Sequence, residues 1–292
     1  MGGYEEFQEQ PALRESSIDR ICFTDRPDLV TEPGWQIRQI PLRIPGDPAR
    51  SSRWPKIRPN LFLADYDCSL YFDNSVRFLS DPAEIIPTLL PVDHDFAVLR
   101  HSYRSSVSDE FAAVEEGGLD SPWRLREQRR TYEAVDPASL TTAPLWGGLL
   151  LRRHNSPKVI SAMSIWWEQV LRFSRRDQLS MPFALRQAGL EPLVHDIDNR
   201  ESAFHSWPHA VGRRPAKERV PIEPDATIAA LERANRLAGA ETAGLADRVG
   251  TLIADLAAER DETERTARRL DQILRSRSWR LTAPLRSIRR RL

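Results

Sequence analysis

Cysteine is scarce: Cys22 and Cys68 are the only two, in no paired-ligand spacing, which excludes a disulfide framework and a zinc knuckle and leaves a reducing compartment as the expectation. No run approaches the roughly 18 apolar residues that cross a bilayer. A formal net charge of +0 provides no general field for nucleic acid, so none is expected as a partner. The opening MGGYEEFQEQ is acidic and polar where a secretory signal would be basic and then apolar. There is no nucleophile elbow, Walker lysine loop, dinucleotide glycine fingerprint or metalloprotease helix. These absences remove the common hydrolase, NTPase and dehydrogenase signatures and point to a cytoplasmic protein.

With 292 residues, 40% hydrophobic and 29% charged, the chain can bury a substantial core. Its composition changes near residue 220. Residues 225–275 contain no Pro, Trp, Phe or Tyr and are dominated by Ala, Leu, Glu and Arg, the composition of a long helix. In a heptad frame, positions 228, 235, 242, 249, 256, 263 and 270 read Ile, Asn, Thr, Val, Leu, Thr, Leu; positions 231, 238, 245, 252, 259, 266 and 273 read Leu, Ala, Leu, Leu, Glu, Thr, Ile. The seam is apolar mainly from 245 to 256, which suits either a solvated helix folded back on the globular part or a self-associating coiled coil. Residues 276–292 form an Arg-rich tail in which Trp279, Leu281, Leu285, Ile288 and Leu292 interleave with Arg. Such a tail could lie on the inner membrane face as a peripheral contact, or simply complement a helix C-terminus.

Within residues 1–220, strand-like runs (IDRICFTD, WQIRQIPL, SLYFD, FAVLRH, LWGGLLLRR) alternate with helical spacing in PKVISAMSIWWEQVLRFS, which predicts a mixed α/β domain. Residues 103–143 are rich in charge and poor in periodicity and read as an insertion or active-site loop. Ligands of open α/β sheets gather beyond strand C-termini, so Asp73, after SLYF, is placed to face one; Asp73-Asn74-Ser75 also reads as an ordinary turn. Trp166 and Trp167 lie on a helix face and read as core, while His154 and His195 read as structural or solvated.

The order SRWPKIRPNLF, SLYFDNS, PLWGGLLLRRH, SRRDQLS, FHSWPHAVGRRPAK resembles the bacterial branch of a glycosyltransferase-like family named for plant proteins of seed-coat mucilage and pollen development, itself similar to the family 8 retaining glycosyltransferases. The likeness covers about residues 2–217. It implies a GT-A-like domain over residues 1–220 that moves a sugar from a nucleotide donor, most simply a UDP-sugar, to a cell-surface glycan acceptor, with retention and with a divalent metal (Mn2+ or Mg2+). Arg53 and Lys56 would then serve the diphosphate, and Asp73 with Ser75 would match an Asp-x-Asp metal motif whose second carboxylate is replaced by a hydroxyl. Gly147 and Gly148 would admit the donor sugar. Asp177 would hold sugar hydroxyls and Gln178 would lie near the anomeric carbon. His209, in preference to His205, would complete the metal site, with Gly212 at the diphosphate and Arg213, Arg214 or Lys217 supplying positive charge. His101, Arg104, Asp109 and Glu110 would touch donor or acceptor.

Two departures temper this. Ser75 weakens the metal motif, and the match starts at Gly2-Gly3-Tyr4 without the family's first strand, so an incomplete and poorly active chain is expected. The rival is a catalytically degenerate scaffold that recruits a polysaccharide-assembly complex to the membrane; a nucleotide-free carbohydrate-binding module leaves the basic residues after His209 without a purpose. The tail SWRLTAPLR also resembles the ends of bacterial surface-polysaccharide glycosyltransferases.

Overall fold

A computed structural model describes residues 5–29, 31–210 and 224–281. The chain divides into two units, Met1–Ile222 and Glu223–Leu292.

In the first unit, β1 (Arg20–Thr24) and β2 (Trp35–Gln39) form a separate parallel pair, in register from Arg20 with Trp35 to Thr24 with Gln39. Helix α1 (Pro48–Ile57) follows, then β3 (Ser69–Phe72), β4 (Arg77–Phe78), α2 (Pro82–Leu89) and β5 (Phe96–Arg100). Three helices come next: α3 (Val107–Glu116), α4 (Pro122–Val135) and α5 (Ala138–Thr141). After them come β6 (Leu145–Arg152), α6 (Pro157–Arg172), α7 (Met181–Gln187), β7 (Leu193–His195) and β8 (His205–Ser206).

The main sheet has the order β3-β6-β5-β7, and β4 pairs with β8 beside it. Strand β6 runs antiparallel to β3 and β5, while β7 is parallel to β5. Three strands therefore end, and β6 begins, along one rim. One face of the sheet packs Phe96, Val98 and Leu150 against Val159, Met163, Trp166 and Val170 of α6 and Ile57 of α1. The other packs Ala97, Leu99, Leu149 and Leu151 against Val76, Phe78, Leu89 and Phe204. Both faces are covered, so β6 reads as an almost unbroken apolar run.

Residues 103–143, expected to be a loop, are mostly helical. Ser106 and Asp109 form a reciprocal capping box at the start of α3, and Pro122 opens α4. The buried face of α4 is only Leu125, Gln128 and Tyr132, so one of its three inward residues is polar and the apolar period is hidden. Gln128 accepts from the Ser174 amide and donates to the Tyr132 hydroxyl. Tyr132 stacks on Phe183, with centroids 4.1 Å apart.

Helix α1 starts at Asp47, whose carboxylate accepts the Arg50 amide at 2.9 Å. The buried Arg50 guanidinium donates to the Val170 and Phe173 carbonyls at 2.7 and 2.8 Å, closing the free C-terminal end of α6.

The second unit holds α8 (Pro224–Arg275) and the short α9 (Arg277–Leu281). Arg260–Glu264, Arg268–Glu264 and Arg275–Asp271 pairs, four apart, lie along the outside of α8. Leu285, Ile288 and Leu292 of the expected tail lie outside the described residues. Among the described residues, no helix is long and apolar enough to cross a membrane.

Candidate active site at the rim of the sheet

Arg53 and Lys56, three apart, project from one face of α1 toward the rim. Lys56 Nζ lies 2.5 Å from Asp177 Oδ2 and 3.4 Å from Asp73 Oδ1, and Arg53 Nε lies 3.3 Å from the same Asp177 oxygen. Asp177 opens a 3-10 turn, Asp177–Leu179, whose place is fixed where the Trp166 indole donates to the Asp177 carbonyl at 2.9 Å. Burial pushes the Asp177 carboxyl up, but Lys56 and Arg53 beside it outweigh that and hold it at about 2. Asp73 follows β3, its amide donating to the Gly148 carbonyl, and its Oδ1 accepts the Tyr71 hydroxyl at 2.7 Å. Burial and the Asp73 charge raise the Tyr71 hydroxyl well above its ordinary value, so it stays a donor.

Gly147 roofs this cluster. A β-carbon there would lie 3.2 Å from Lys56 Nζ and 3.6 Å from Gln178 Cγ. Register shifts between Val98 and Leu99, where four steps of β6 face one step of β5, and the extra residues include both glycines. Gly148 answers to a different neighbour: a β-carbon would sit 2.4 Å from the Trp146 ring. That ring stacks on His205, with centroids 5.4 Å apart, and meets Trp207 edge-on at 5.6 Å.

The other side of the rim joins the Asp73 turn to the segment after β8. Trp207 Nε1 donates to Ser75 Oγ at 3.0 Å across 132 positions of sequence, and the His209 amide donates to the Ser75 carbonyl at 2.9 Å. His209 Nε2 bonds Ser206 Oγ at 2.8 Å. Both ring nitrogens of the buried His205 are engaged, by Ser202 Oγ and the Asn199 carbonyl. His154 and His195 each bond a backbone carbonyl, of Leu63 and Leu89.

A third group follows β5. His101 Nε2 lies 3.9 Å and Arg104 Nε 3.5 Å from the buried Glu110 carboxylate. Burial, reinforced by Arg104, lowers His101 to about 4, and burial raises Glu110 while Arg104 and Arg176 pull it back. His101 is therefore neutral at pH 7. Asp109 takes no part in this group, its carboxylate accepting from Ser105 and Ser106 at the α3 cap.

Of the residues singled out in the sequence, Arg53, Lys56, Asp73, Gly147, Asp177 and Gln178 thus come together, while Ser75 and His209 meet at the adjoining turn. Gly212, Arg213, Arg214 and Lys217 lie outside the described residues. Lys56 and Asp177 face inward, with side chains 1% and 7% exposed, against 35% for Asp73. Sequence reasoning missed Tyr71, Arg176 and Trp207. Arg176 was visible in SRRDQLS, next to Asp177, and its charge acts on Arg53, Asp177, Glu110 and Asp73.

The expected metal set fits poorly. A hard divalent cation takes several oxygens, usually from more than one carboxylate. Asp73 Oδ1 already serves Tyr71 and Lys56, Ser75 Oγ serves Trp207, and His209 Nε2 serves Ser206. Among the described residues, no three His, Cys, Asp or Glu side chains gather to hold an ion.

A covered α/β sheet with a charged rim fits a ligand-binding α/β domain, and residues 33–196 match the profile of the TOD1/MUCI70, glycosyltransferase-like domain. The chain belongs to that family. It is similar to the probable hexosyltransferase MUCI70 of Arabidopsis thaliana, 24% identical over 200 residues covering 64% of this chain and 34% of the relative. The chain thus spans about a third of the length of that curated relative. The apo crystal structure of mouse xyloside xylosyltransferase 1 aligns over 56% of this chain and 63% of that chain, at 12% identity and a TM-score of 0.31.

Proposed function

We propose that the first unit, as a GT-A-like domain, transfers a sugar from a nucleoside diphosphate donor of the uridine class to a glycan acceptor at the cell surface. The observation that carries this reading is the junction of Asp73, Lys56, Asp177 and Arg53 beneath Gly147 at the rim, in a chain of a glycosyltransferase-like family. The partly exposed groups Arg53, Asp73, Arg176 and Gln178 face the donor. Lys56 and Asp177 lie beneath them as positioning residues.

Departure of the nucleoside diphosphate builds negative charge, and fixed cations stabilise it most in the transition state. Arg53 is held by Asp177, so its guanidinium needs little reorganisation when that charge develops. Asp73, fixed by Tyr71, accepts hydroxyl protons of the donor. Gln178, beside the Gly147 backbone, offers an amide to the anomeric face. No step requires a resident cation.

Calorimetric titration of the full chain with UDP-sugars, with and without Mn2+, tests this. Binding by the wild type and at least a tenfold loss in Asp73→Ala are expected, a deleted hydrogen bond to a charged group contributing about 1.5–3 kcal/mol. Equal heats in both proteins, or none in either, reject the donor site. Burial of the Lys56–Asp177 pair adds to the support that Ser75 gives the scaffold reading, and an absence of binding to any UDP-sugar would favour it.

A further inference from the structure

Among the described residues, the apolar block of the α8 seam is exposed: Leu245, Val249, Leu252 and Leu256 are 53%, 53%, 61% and 64% exposed. Its sequence is a mirror. Outward from this apolar block toward the C-terminus the seam reads Glu259, Thr263, Thr266 and then Leu270 and Ile273; toward the N-terminus it reads Thr242, Ala238, Asn235 and then Leu231 and Ile228. About the point between Gly250 and Thr251, Thr242 mirrors Glu259 and Asn235 mirrors Thr266, polar on polar, while Ala238 mirrors Thr263 as the one mixed pair. The other apolar positions mirror apolar ones.

We propose that α8 pairs antiparallel with α8 of a second copy of this chain, centred between Gly250 and Thr251. This register sets Leu245 against Leu256, Val249 against Leu252, Leu231 against Leu270 and Ile228 against Ile273, and it faces each Glu259 with the Thr242 hydroxyl of the second copy. A parallel pair in register would instead stack Glu259 on Glu259 inside the seam, two like charges removed from water. The flanks agree. On one edge Arg248 meets Asp255 twice by symmetry. On the other, Ala246 meets Ile253, whose 62% exposure widens the apolar stripe. Glu241 opposite Glu262 is a like-charge contact, confined to the solvated rim where such pairs weigh little. An isologous two-helix contact of this kind closes on itself and forms a dimer, not a filament.

The test uses the full chain with Cys22→Ser, Cys68→Ser and Arg265→Cys, the new thiol carrying a nitroxide. Position 265 lies on the outer face of the helix. At about 1.5 Å of rise per residue, the antiparallel register puts the two labels about 45 Å apart, whereas a parallel pair brings them within roughly 20 Å. Sedimentation equilibrium at about 10 μM should give a dimer, and Arg248→Asp should weaken it about tenfold. Adding Asp255→Arg to the same chain should restore the affinity. A monomer, as a helix folded onto its own first unit would give, overturns the proposal. So does a short label distance, and so does failure of the double reversal to regain binding.

Discussion

Lys56→Met should lower stability by about 3–5 kcal/mol, because it leaves the Asp177 carboxylate buried without its nearest cation. Asp177→Leu should do comparable damage by leaving Lys56 uncompensated at 1% side-chain exposure. The double variant should be markedly more stable than the sum of the two losses, since replacing both partners by apolar groups removes the desolvation cost along with the attraction. Urea unfolding of the four proteins reads this cycle; strictly additive losses would show that the two side chains act independently. Donor turnover should not recover with stability, because Arg53 loses its anchor in the double variant too. The acid limb follows from the same residue. Asp177 is held at about 2, below its ordinary 3.8, so the stability it contributes is complete above about pH 4 and is lost as pH falls toward 2. Asp177→Asn should flatten that limb.

Gly148→Val should abolish donor binding at a modest cost in stability. A β-carbon at Gly148 would meet three atoms of the Trp146 indole at 2.4 to 3.0 Å, and the ring can yield only by leaving its place against His205 and Trp207. Overpacking of this kind costs about 1–3 kcal/mol. The larger effect is geometric, because Trp207 also holds Ser75 and thereby the turn that carries Asp73. Indole fluorescence with calorimetry against a UDP-sugar reads both consequences. Unchanged affinity would show that the Trp146 stack does not support the donor site.

The contrast between what was legible in the sequence and what was not has a physical pattern. Strands β3, β5 and β6 and helix α6 were readable because their buried faces are written in apolar letters, and Trp166 and Trp167 do pack in the core. The helices between residues 107 and 141 were not, because α4 buries a glutamine whose hydrogen bonds replace apolar contact. At the rim, the residues that gather were among those singled out by type and order, but their depth was not. A lysine reads as surface, yet Lys56 is enclosed by two carboxylates and a glycine roof. Likewise Gly148, read as room for a sugar, is room for an indole. Spacing along a chain specifies which groups can meet; it does not specify which of them end up underneath.

The Arg50 contacts make the two sides of the rim unequal partners in any motion. By gripping the last carbonyls of α6, Arg50 moors α1 to the longest helix of the first unit, and Arg53 and Lys56 ride on that mooring. Arg53 and Lys56 should therefore move little, and any adjustment to the proposed donor should fall to the Trp207–His209 side. Amide exchange should find α1 and the end of α6 opening as one body, later than the backbone around Ser206.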